Sequence, residues 1–63
     1  MPDAWKPKLT EVYIQWADFV LNHGKDVTDW EQTFTKDIRR QLEYKPISRR
    51  QAEILERIYA EKT

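Results

Sequence analysis

The sequence predicts an all-α fold, a small three-helix domain. Three observations carry the prediction. The strong chain breakers in 63 residues are one glycine and three prolines, and Gly24 and Pro46 cut the chain beyond Pro7 into three segments. In each segment apolar residues recur at spacings of three and four, the period of a helix and not of a strand. Two of the segments open on a capping box, Thr-Asp-Trp-Glu at Thr28–Glu31 and Ser-Arg-Arg-Gln at Ser48–Gln51.

Residues 1–8, holding Pro2 and Pro7, read as an extended lead into one domain spanning 1–63. The first helix is expected over 9–23. Leu9, Val12, Tyr13, Trp16, Phe19 and Val20 form one stripe, widened by Ile14, Ala17 and Leu21. Gly24 is placed to end it as a left-handed residue. The second helix is expected over 29–44, capped by Thr28 and Glu31, with Trp30, Phe34, Ile38 and Leu42 recurring every four residues. Pro46 disfavours helical geometry at Lys45 and so ends it. The third helix is expected over 49–61, capped by Ser48 and Gln51, with Ala52, Ile54, Leu55, Ile58 and Tyr59 on its apolar face. Connections of about four residues favour roughly antiparallel neighbours.

A chain this short buries only about 60% of the surface that its unfolded form exposes. Cysteine is absent and His23 is the lone histidine, so disulfides and thiolate metal sites drop out and no cofactor is expected. Helix packing or a partner must supply the stability. No apolar run approaches the roughly 18 residues of a membrane span, and the first residues lack a secretory apolar stretch. A cytoplasmic protein without a membrane partner is the expectation.

No Gly-rich phosphate loop, HExxH or GxSxG motif occurs. The carboxylates are scattered among basic neighbours, and the expectation is a protein that is not an enzyme. Three tryptophans are many for 63 residues. Trp16 and Trp30 fall on the stripes and are expected in the core, where an aromatic covers 150–250 Å². Trp5 precedes the first helix. It is either a lid folded back on the core or a contact for a partner.

Net charge is zero, but the charge is uneven. Between Lys36 and Arg50 stand six cations (Lys36, Arg39, Arg40, Lys45, Arg49, Arg50) and two carboxylates (Asp37, Glu43). This basic elbow surrounds Pro46. Arg49 and Arg50 occupy the first turn of the third helix, where the helix dipole disfavours a cation by about 0.3–1 kcal/mol. Glu53, four residues after Arg49, relieves part of that cost. Two readings stay open: a solvated elbow neutralised within the molecule, or a surface for an anionic partner, protein or nucleic acid. Counting all six cations as phosphate contacts gives a salt slope near −5 for duplex DNA. With Trp5, these six make the candidate partner-binding set. A third reading is a subunit that pairs with its own copy, a homodimer through helix surface left uncovered at Ile14 and Leu21.

Trp30, Phe34, Ile38, Leu42, Ile47, Ser48, Gln51, Leu55 and Ile58 together form a pattern covering about half the chain. It resembles a short helical element of bacteriophage and prophage proteins, which often accompanies DNA replication, recombination or host takeover. The resemblance implies a phage-like origin and a macromolecular partner, such as a host or phage nucleic-acid enzyme. It carries over no catalytic residue. Pro46, Ile47, Ser48 and Gln51 also look like the opening of a helix-turn-helix, but no recognition helix follows in the sequence.

Overall fold

The computed structural model describes residues 5–63; Pro2 and the rest of the first half of the expected 1–8 lead lie outside the described residues. Three helices follow in order: α1 (Thr10–His23), α2 (Asp29–Gln41) and α3 (Arg49–Lys62). Residues 5–9 have no regular structure, and the Lys8 amide donates to the Tyr13 hydroxyl at 3.1 Å. The all-α, three-helix expectation holds.

Both capping boxes form with both of their hydrogen bonds. The Glu31 amide donates to Thr28 Oγ1 and the Thr28 amide to Glu31 Oε1. Ser48 and Gln51 do the same for α3. Each box satisfies two of the amides that a helix start leaves bare.

Two helix ends differ from the sequence expectation. Regular α2 ends at Gln41, not at 44. The Glu43 and Tyr44 amides reach back only three residues, to Arg40 and Gln41, so the chain tightens a turn before Pro46 demands extension. At Gly24 the backbone is extended (φ −65°, ψ 143°), not left-handed. The left-handed residue is Asp26, with φ 56°, a conformation that aspartate tolerates better than most side chains.

The core draws on every element: Tyr13, Ala17 and Val20 from α1, Thr35 and Ile38 from α2, Leu42 and Ile47 from the elbow, and Ala52, Leu55 and Ile58 from α3. Thr35 is fully buried; its hydroxyl donates to the Glu31 carbonyl at 2.7 Å, which removes the cost of an unpaired polar group. α2 and α3 each lie along α1 but scarcely touch one another. A groove therefore runs between them. Trp16 packs on the core as expected, stacking on Tyr59 with centroids 5.2 Å apart. Trp30 does not: it is 61% exposed. The four-residue repeat puts it on the flank of α2 that faces the groove, where no third wall covers it.

The far end of the bundle is closed by Lys62. Its Nζ lies 3.4 Å from Glu31 Oε1 and donates to the Asp26 carbonyl, while its own carbonyl accepts from the Lys25 amide at 2.8 Å. The Thr28 amide, aided by the Thr28 hydroxyl and the Lys62 charge, holds the Glu31 carboxyl below the usual glutamate range against an opposing effect of burial. A carboxyl with a depressed folded pKa stabilises the fold above its unfolded value, about 4.3 for Glu, and stops doing so as pH falls through the folded value. Glu31→Gln is therefore expected to lower the melting temperature at neutral pH and to match the parent protein near pH 3. Paired thermal melts check this; an equal gap at both pH values would count against a role for the Glu31 charge.

Candidate functional site

The elbow between α2 and α3 is a rigid piece of chain. Gln41 Nε2 donates to Gln51 Oε1 at 2.9 Å, and Gln51 Nε2 donates to Gln41 Oε1 at 3.0 Å. Gln41 Nε2 also reaches the Pro46 carbonyl at 3.0 Å. Gln51 thus caps α3 and pairs with the last residue of α2 at once. Ile47 is buried beneath the turn and anchors it to the core. A surface displayed here pays little ordering entropy on binding, since the backbone is already held.

The six elbow cations divide into two groups. Arg39 turns inward to α1, where its Nε donates to Asp18 Oδ1 at 2.9 Å; its Nη1 reaches Glu43 Oε2 at 3.3 Å. It is an interhelix clamp. Arg49 Nε meets Glu53 Oε2 at 3.1 Å, the pairing that the four-residue spacing predicts. Lys36, Arg40, Lys45 and Arg50 are exposed and carry no side-chain hydrogen bond or ion pair among the described residues. Asp18 and Glu53 bring two carboxylates into a region whose own excess is six cations over two, so the excess of four falls to two.

The four remaining cations do not share one face. Lys36 and Arg40, four residues apart, lie on the outer side of α2. Lys45 lies beside the turn, against Pro46 and Ser48. Arg50 lines the α2–α3 groove. Trp5 is half-buried, packs on the core, and lines a cleft with Tyr13, Trp16, Ala52 and Glu56. Of the two readings of Trp5, the lid describes its placement.

The α2–α3 groove is a second candidate site, which the sequence does not reveal. Its volume is about 530 Å³, and Trp30, Ile54 and Ile58 supply apolar lining among Arg50, Arg57, Glu31, Glu53 and Glu61. Trp30 stacks on Phe34 with centroids 5.3 Å apart and planes at 11°. In the sequence, Trp30 stands in the four-residue repeat with Phe34, Ile38 and Leu42, which points it to the core. Ile14, one of the two residues of the expected homodimer surface, packs against the core, and the other, Leu21, is half-buried beside Val27.

Among the described residues no helix is long and apolar enough to cross a membrane. Compared with protein-family models, with curated proteins and with solved structures, the chain has no match.

Proposed function

We propose that this chain is a small non-enzymatic interaction protein that binds an acidic surface of a protein partner through the elbow between α2 and α3. The observation that carries the reading is that Lys36 and Arg40 on the outer side of α2, and Lys45 beside the turn, are exposed and have no partner among the described residues, next to an elbow that the Gln41–Gln51 amide pair holds rigid. Arginine and lysine in that state form charge-assisted hydrogen bonds to carboxylates without first giving up an internal ion pair. Arg39 is a positioning residue, since its guanidinium serves Asp18 and Glu43. The resemblance of Trp30–Ile58 to a bacteriophage element supports a host or phage nucleic-acid enzyme as the class of partner.

Direct binding of nucleic acid by the same residues is the competing outcome. With Arg39 and Arg49 engaged, about four phosphate contacts remain, which for duplex DNA gives a salt slope near −3.6. The test is retention of lysate proteins on the immobilised chain at low salt, with and without nuclease, alongside a gel-shift series with DNA and RNA. Expected are retained proteins that survive nuclease, elute with salt, and fall at least tenfold with Lys36→Glu/Arg40→Glu, but not with Lys8→Glu/Lys25→Glu. Nuclease-sensitive retention with a gel shift would transfer the function to nucleic acid. No retention in any arm would remove the elbow as a docking surface.

A further inference from the structure

The α2–α3 groove complements itself. Along one flank of α3 run Arg50, Ile54, Arg57 and Glu61, with Ile58 in the floor and Trp30 opposite. Arg50 and Glu61 are exposed and neither has a side-chain partner among the described residues. They are separated by eleven residues, three helical turns or roughly 16 Å, so both ends of one flank carry an unsatisfied charge of opposite sign. A second α3 laid antiparallel, with the two-fold axis passing between Leu55 and Glu56, brings Arg50 to the partner's Glu61 and Glu61 to the partner's Arg50. The same rotation sets Ile54 against the stem of the partner's Arg57, and leaves the exposed Trp30, stacked on the half-buried Phe34, beside the seam.

We propose that the chain forms a two-fold homodimer through the α2–α3 groove, closed by two reciprocal Arg50–Glu61 ion pairs around Ile54, Ile58 and the Trp30–Phe34 stack. An isologous interface requires a surface that matches its own rotated copy, and this flank has that charge order. Zero net charge leaves no overall repulsion between copies. A standard interface takes about 800 Å² from each partner, which is roughly one-sixth of the 4900 Å² surface of the chain. Trp30, 61% exposed beside a groove, is the kind of aromatic anchor that dominates such interfaces. Lys36, Arg40 and Lys45 stay outside the interface, so the dimer displays two elbows.

The test is sedimentation equilibrium of the full chain over about 5–500 μM at low salt, where mass action must show the dimer if it forms. Arg50→Glu and Glu61→Arg are each expected to weaken association at least tenfold, and the double variant to return to within about threefold of the parent. Trp30→Ala weakens it as well, and circular dichroism shows that every variant keeps its helix content. The parent staying monomeric throughout, either charge reversal leaving association unchanged, or a double variant no better than the singles would each overturn the proposal. Lys36→Glu/Arg40→Glu is expected to dimerise normally, which separates this result from the fate of the elbow reading.

Discussion

Leu55→Ala is expected to remove about a fifth or more of the folding free energy. Leu55 has no exposed surface and sits where the three helices meet, in one cluster with Tyr13, Ala17, Ile38 and Leu42. Truncating a buried leucine costs about 2–5 kcal/mol, from lost transfer energy and from the cavity left behind. A chain of this length holds a total of only roughly 3–9 kcal/mol. No disulfide is present to limit the damage. The melting temperature should fall by something on the order of 10–40 °C. Urea unfolding followed by circular dichroism measures the loss, with Leu9→Ala as control: Leu9 is 75% exposed and should change stability by under about 0.5 kcal/mol. A loss below about 1 kcal/mol for Leu55→Ala would mean that the helices do not close around this residue.

Gly24→Ala should cost about 1–3 kcal/mol, and for a reason different from the one a helix-ending glycine normally supplies. At φ −65° an alanine has no conformational objection. The obstacle is space. A Cβ on Gly24 would stand 2.5 Å from the Val20 carbonyl oxygen and 2.6 Å from Val27 Cγ2. The Val20 carbonyl cannot retreat, because it accepts the Gly24 amide at 2.9 Å and closes α1. Any shift also strains the next residue, whose amide holds the end of α3 at the Lys62 carbonyl. The two explanations separate cleanly by experiment. A left-handed glycine accepts asparagine better than alanine; a glycine needed for close approach rejects both alike. Equal destabilisation by Gly24→Ala and Gly24→Asn is expected, whereas Asp26→Gly, at the true left-handed position, should be nearly neutral. Retention of full stability by Gly24→Asn would show that space is not the constraint.

Interactions that close within four residues could be read from the sequence. Thr28 with Glu31, Ser48 with Gln51, and Arg49 with Glu53 all form, because a helix brings such residues together whatever surrounds it. The missed features join distant parts of the chain. Asp18 meets Arg39 across 21 residues, and Lys62 meets Asp26 across 36. Thr35 is buried where its type is usually exposed, and Trp30 is exposed where the apolar repeat expects cover. Periodicity identifies the apolar face of a helix, but not how wide a neighbour covers it.

By itself, then, the sequence determined the number of helices, the starts of α2 and α3, the stop before Pro46 and the concentration of positive charge around it. All of these follow from local backbone chemistry and the 3.6-residue repeat. Only the tertiary structure decided that Arg39 is paired across the bundle while Lys36, Arg40 and Lys45 stay exposed without a partner among the described residues. That choice depends on how α1 lies against α2, and α1 alone brings Asp18 to Arg39. The splay of α2 from α3 likewise turned Trp30 from a core residue into the wall of a groove, since a side chain is buried only when another element arrives to exclude water from it.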